Sequence, residues 1–294
     1  MNIDLLGPVS IYTCAARHQI RAKKVRALLA VLALNARVVV SFDELADELW
    51  PDAALNNPRN ALQANALRLR KQLEAYAPSI AAEEILATSG NGYVLNVSSD
   101  AVDAARFDRL AATGSQMIKD KPREAIMLLS TAMKLWRGPA LADVGDGIRC
   151  RAAAIRLGER RFSVQADLIE ARLELGGDQA LIADLTELVT RHPERERLSG
   201  LLMLALYRDG RQTEALGVFH KTRQWLVTEL GTEPSQPLRA LYQSILIQDQ
   251  ELSLMSRSGV GGPGSLVLRN IDRRERPGIL QKPRLPVSAP RFGI

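Results

Sequence analysis

In the stretch NPRNALQANALRLRKQLEAY, residues 57 to 76, the cations Arg59, Arg68, Arg70 and Lys71 all precede the first carboxylate, Glu74. Asn60 and Gln63 stand among them. Guanidinium and ammonium groups neutralise phosphates, whereas an arginine fork or a side-chain amide can form two hydrogen bonds with the edge of one base. This set of groups suits a nucleic-acid duplex if they share one side of one element. A run of charge is more often simply a solvated face, so the neighbouring elements have to decide.

Asn57 is a good helix cap, and Pro58 is suited to the first helical position. At about 100° per residue, Leu62, Ala66, Leu69 and Leu73 fall in one narrow sector, which predicts the buried side. Asn60, Ala64, Leu67, Arg68 and Lys71 lie opposite, with Gln63 and Arg70 on a flank. Upstream, MNIDLLG and VSIYT read as short strands around a Gly7-Pro8 turn. From Lys23, apolar residues at spacings of three and four predict a helix ending near Asn35. RVVV, residues 37 to 40, reads as a strand, and Ser41 with Glu44 forms a capping box that opens the helix FDELADELW before Pro51 stops it. Downstream, EILATSGNGYVLNV has two β-rich arms around Ser89-Gly90-Asn91-Gly92, a hairpin signal.

Strands, three helices and a hairpin are the order of a winged helix, and the basic stretch takes the place of its recognition helix. Arg17, Arg21, Lys23, Lys24 and Arg26 add a second cationic group for the phosphate backbone. Roles divide by chemistry: Lys71 and Lys24 on phosphates, Arg68 with Asn60 or Gln63 on bases, and Thr88, Ser89 and Asn91 on the wing.

From about Val102 the pattern is helical almost to residue 248. Helices are expected over 103–118, 122–136, 147–176, 178–191, 195–209, 212–230 and 235–248, divided at glycine and proline positions. LYRDGRQTEALGVF, residues 206 to 219, looks like the helix-turn-helix of a tetratricopeptide-type repeat. The fold expected is mainly α with a small β component, in three parts: a winged helix over 1–98, helices over 99–254, and a basic tail over 255–294. The tail has six glycines and five prolines in 40 residues, too little apolar surface to offset the ordering of its backbone, so it is expected to be disordered.

The net charge of +6 does not itself point to nucleic acid, because residues 1 to 98 hold 10 basic and 9 acidic residues, residues 99 to 254 hold 21 and 22, and the tail holds 8 and 2. The argument for DNA rests on local patches. The longest apolar run, ALLAVLAL, is too short to span a bilayer, and Asp4 sits where a secretory leader needs bases, so no membrane association and a cytoplasmic location are expected. Cys14 and Cys150 are isolated, and His18, His192 and His220 are scattered, a pattern that suggests neither a disulfide nor a metal site. Phosphate-loop, zinc-protease, nucleophile-elbow and dinucleotide motifs are missing from the sequence, which reads as a non-enzyme without a cofactor. Two other readings are an adaptor or ligand sensor built on the helical repeats, and a repressor with the same winged helix.

LLGPV at 5–9, RALLAVLALNARVVVSFDELADELW at 26–50, RNALQANALRLRKQL at 59–73 and GYVL at 92–95 resemble the OmpR-type DNA-binding domain of the Streptomyces antibiotic regulatory protein family. LWRGPAL at 135–141, RHPERERL at 191–198, LMLALYRDGRQTEAL at 202–216 and ELGTEPSQPLRAL at 229–241 resemble that family's bacterial transcriptional activation domain. The resemblance implies a transcriptional activator of secondary-metabolite (antibiotic) clusters. It would bind direct repeats in double-stranded DNA near promoters, as a dimer on DNA, and recruit RNA polymerase holoenzyme through its sigma and alpha subunits. By position, Arg68, Arg70 and Lys71 match the family's basic recognition residues, and Arg59 and Asn60 its helix start. Leu67 stands where the family usually has a polar residue, a position open either to contact with a thymine methyl or to plain exposure. Ser89 replaces an arginine common at the wing tip, and Val25, Glu194 and Ser235 are further departures. No receiver domain is read in the chain.

Overall fold

The computed structural model describes residues 1–13, 16–51, 56–76, 81–145, 147–176, 179–249 and 252. The tail and Cys14, on which expectations were stated above, lie outside the described residues. By packing, the chain divides into two compact units, Met1–Thr186 and Glu187–Leu252.

The first unit opens with strands β1 (Asn2–Asp4), β2 (Ser10–Tyr12) and β3 (Arg17–Gln19), an antiparallel sheet in that order. Helix α1 (Lys23–Leu34) buries Val25, Leu28, Leu29 and Leu32 and ends where Asn35 N–H turns back to Leu32 O. Strand β4 (Val40–Ser41) is shorter than the expected strand over 37–40. Its β-branched run is overridden by a reversal: Val38 N donates to Asn35 O, and Arg37 takes φ +65° while its N–H reaches Leu95 O. Val38 and Val39 are left exposed.

The capping box forms as expected, with Ser41 Oγ accepting from Glu44 N at 3.2 Å and Glu44 Oε2 accepting from Ser41 N at 3.0 Å, and it starts α2 (Phe42–Leu49). Those bonds, with Arg149 nearby, hold the Glu44 carboxyl below its ordinary range. Helix α3 (Pro58–Tyr76) follows, its first turn capped by Asn57 Oδ1 accepting from Asn60 N at 3.0 Å. A short helix α4 (Ala82–Ile85) takes residues that the hairpin pattern assigns to a strand arm. Strands β5 (Leu86–Ser89) and β6 (Gly92–Leu95) then form the wing, in a sheet of order β4-β6-β5. Gly92 is required there, since a Cβ would lie 2.2 Å from Val40 O.

Helices α5 (Asp103–Gln116), α6 (Pro122–Met133), α7 (Ile148–Glu174) and α8 (Gln179–Arg191) come next. One continuous core runs from Ile3 and Leu5 through α1 and α3 to Phe107, Leu129, Leu157 and Val164. The sequence motifs at 5–9 and 135–141 meet each other: Leu6 O accepts from Arg137 N at 2.8 Å and Leu5 O from Leu141 N at 2.9 Å. Helix α6 stops at Met133 rather than at the expected residue 136 because the chain tightens there into i→i−3 turns, Leu135 N donating to Ala132 O and Trp136 N to Met133 O. Asp103, 3% exposed, accepts from Leu5 N at 2.6 Å and from Leu6 N at 3.1 Å. Burial pushes its carboxyl up from the ordinary aspartate range, and these two N–H groups act against that shift. Gly7, at φ +150°, lets the chain pass under Arg137, whose Cβ would be 3.0 Å from an added Cβ.

In the second unit, α9 (Glu196–Arg208) and α10 (Gln212–Trp225) form a helix-turn-helix through Gly210 at φ +78°, as the repeat-like motif suggests. Ser199 and Thr222 join them by a buried hydroxyl bond of 3.0 Å. Helix α10 was expected to reach residue 230, but a π turn over Leu226–Leu230 intervenes and ends at Gly231, φ +67°. Helix α11 (Gln236–Leu246) closes against α10, with Tyr242 stacked on Phe219 at 4.1 Å.

Removing the Asp103 carboxylate strands two buried N–H donors at about 1 to 3 kcal/mol each. Asp103→Ala is therefore expected to lower the unfolding free energy by at least about 2 kcal/mol in urea titration, and the neighbouring exposed change Asp100→Ala to alter it little.

Candidate nucleic-acid interface

Helix α3 is amphipathic in the sense that matters for a reader of duplex. Leu62, Ala66, Leu69 and Leu73 are fully buried, so the opposite side faces solvent. On that side lie Arg59, Asn60, Gln63, Ala64, Leu67, Arg68 and Lys71, all exposed, with Leu67 at 54%. Among the described residues, no side chain or carbonyl bonds the end groups of Arg68, Lys71, Asn60 or Gln63. Asn65, which the helical pattern did not single out, is buried and donates to Ala61 O at 2.8 Å.

The other two cations of the stretch also make contacts within the fold. Arg70 donates through Nε and Nη2 to Leu86 O at 3.0 and 2.8 Å, and through Nη2 to Thr88 Oγ1 at 3.0 Å. It ties α3 to the first strand of the wing. Arg59 leans over the Phe42 ring at 4.7 Å, and Phe42 meets Tyr93 of β6 edge to face at 5.2 Å. Neither Phe42 nor Tyr93 is visible as a site residue in the sequence, because an aromatic at a strand or helix start reads as core. Burial raises the Tyr93 phenol above its usual range, with Arg70 and Arg59 opposing that shift. At the wing tip the turn is Gly90-Asn91, with Gly90 at φ +55° and Ser89 and Asn91 exposed. Asn91 O accepts from Phe42 N at 2.8 Å, which pins the tip to the start of α2.

Residues 102–246 match the family described as bacterial transcriptional activator domain, and residues 20–95 match that described as transcriptional regulatory protein, C terminal. Over 256 residues the chain is 44% identical to transcriptional regulator RedD of Streptomyces coelicolor, covering 87% of this chain and 73% of RedD. It is 35% identical over 253 residues to regulatory protein DnrI of Streptomyces peucetius, covering 85% of this chain and 93% of DnrI.

The chain belongs to the Streptomyces antibiotic regulatory protein family. Its fold agrees with the solved structure of Mycobacterium tuberculosis EmbR in complex with low affinity phosphopeptide, at a TM-score of 0.82 and 28% identity over 92% of this chain and 68% of that one. As a member of the family it is a transcriptional regulator that binds DNA through an OmpR-type winged helix, and not an enzyme. Among the described residues, no helix is long and apolar enough to cross a membrane, and no cluster of three or more ligating side chains could hold a metal ion. Cys150 is buried, and its thiol is pushed up by burial and by Glu48, which keeps it protonated.

Within this family member, the second cationic group does not form one outward patch. Arg26 bonds Asp143 at 3.2 Å and the carbonyls of Ile20 and Asp143, with its side chain 17% exposed. Lys24 donates to Leu49 O and sits over the Trp50 ring at 5.8 Å. Arg17 pairs with Asp4 at 2.8 Å. Arg26 and Lys24 are half-buried, whereas Arg17, Arg21 and Lys23 remain exposed. Sequence reasoning sees only that charges are near in sequence, and the carbonyls and carboxylates that claim them arrive from residues up to 117 positions away.

For Arg70 a structural role has a measurable signature. Arg70→Ala loses charge-assisted bonds of about 1.5 to 3 kcal/mol. It is expected to speed amide hydrogen exchange in Leu86–Ser89 while leaving the order of preferred DNA sequences unchanged.

Proposed function

We propose that this protein is a sequence-specific transcriptional activator of a secondary-metabolite gene cluster. In this reading residues 1–98 read the DNA, residues 99–254 assist contact with a second protomer or with polymerase, and two protomers sit side by side on direct repeats. The observation that carries it is the outward face of α3, where two cations and two amides stand unbonded by any described residue around a small apolar patch.

The geometry supports a division of labour. Arg68, Asn60 and Gln63 project from the face best suited to base edges, and Leu67 with Ala64 offers an apolar spot for thymine methyls. Lys71 neutralises a phosphate, as does Arg59 where it rises past Phe42. Ser89 and Asn91 reach the backbone from the wing tip. Arg70 and Arg26, whose guanidinium groups are bonded to the protein itself, act by holding these groups in place, with Thr88 accepting from Arg70 and Lys24 donating to Leu49 O. A single module of this kind buries roughly 600 to 1,000 Å², so a second copy adds both affinity and length of sequence read. Recruitment of RNA polymerase through its sigma and alpha subunits is what the family resemblance implies.

Once an operator has been selected from random duplexes, Arg68→Ala is expected to weaken binding to it by about 1 to 3 kcal/mol and to scrambled duplex far less. Lys71→Ala should weaken both alike and reduce the slope of log affinity against log salt by about 0.9. Equal losses on both duplexes for Arg68→Ala would remove its base-reading role. Transcription with purified polymerase should rise on adding the protein, and a fall would make it a repressor.

A further inference from the structure

Four carboxylates fasten the reading module to the helices that follow it. Glu48, in the last turn of α2 and 5% exposed, accepts from Cys150 N through Oε1 and from Arg149 N through Oε2, both at 2.8 Å. It therefore closes the first turn of α7, where a negative charge is favoured by the unpaired N–H groups and the helix dipole. One turn earlier on α2, Glu44 pairs with the Arg149 guanidinium. Gly147 is part of the fit, because a Cβ there would lie 2.1 Å from Glu48 Oε1. Asp143 accepts from Val9 N at 2.8 Å and pairs with Arg26 of α1, while Asp103 takes the N–H groups of Leu5 and Leu6. The attachments thus fall at three separate places, on α2, on α1, and along the segment between β1 and β2. Together with the core that both parts share, these attachments hold the two parts in one orientation.

From this we infer that Glu48, Asp103 and Asp143 are specificity-determining residues for half-site spacing, although none is on the DNA-facing surface. By holding α5 to α7 at one orientation to α3, they fix where a neighbouring protomer must stand on the duplex. The inference rests on the two-protomer reading above, with the contact between copies made through the helices. Inserting about five base pairs turns a half-site to the opposite side of the helix. A jointed protein can follow that displacement, and a clamped one cannot.

The test compares the full-length protein with its E48Q/D143N form on a single half-site, on the selected repeat, and on the repeat widened by about five base pairs. Glutamine has only one acceptor oxygen, so one N–H of α7 loses its partner. Unaltered protein should lose roughly tenfold or more in affinity on the widened repeat, and E48Q/D143N less than about threefold, with single half-site affinities alike. An equal spacing penalty for both proteins, with single half-site binding intact, overturns the inference and leaves the two-protomer reading standing. If the unaltered protein binds the repeat no better than one half-site, that reading falls and the inference with it. Should E48Q/D143N fail to bind a half-site, E48Q and D143N are read singly, and an undiminished penalty in both overturns the assignment.

Discussion

Leu62, Ala66, Leu69 and Leu73 set the rotation of α3 about its own axis, and everything said of its outer face depends on that rotation. All four are withdrawn from water, in a helix packed among α1, α2 and α4. Truncating any one of them to a smaller side chain would remove about 2 to 5 kcal/mol of packing in the case of a leucine. A helix held that firmly cannot roll its cations inward. The opposite face is thereby presented to solvent, and it is the face that the proposed reading of DNA uses.

Firm seating also accounts for the two cations of the stretch that contact the fold itself. A recognition helix needs its ends and flanks located as well as its roll. Arg70 does this toward the wing and Arg59 toward Phe42, so that α2, α3 and β6 are joined through one aromatic and guanidinium cluster. Behind the reading module, the segment from Leu5 to Val9 has its polar backbone satisfied by residues of the helical part rather than by a strand of its own sheet. Buried N–H and C=O groups require partners, and here the partners come from beyond residue 98. The family boundaries at 95 and 102 are therefore not a boundary in packing, which falls at residue 186.

Elements defined by local chemistry were legible in the sequence. The capping box at Ser41, the Asn57 cap before Pro58, and the end of α1 at Asn35 depend on residues within four positions of one another, and the structure has each of them. The buried and exposed sides of α3 follow from a period that neighbours alone determine. What was not legible depends on distant partners. Nothing near Arg26 announces Asp143, and nothing in RVVV announces that Leu95 will claim the Arg37 N–H and turn the chain early. The motifs at 5–9 and 135–141 were visible as resemblances, but their contact was not, because neither carries a period or a charge pattern that names the other.

The most direct measurement is a crystal structure of the full chain bound to a duplex containing its selected operator. The account predicts α3 in the major groove, with Arg68 and Asn60 or Gln63 within hydrogen-bonding distance of base edges and Arg70 still bonded to Leu86 O. A complex in which the duplex lies on another surface, with Arg68 and Lys71 facing solvent or covered by protein, would contradict it.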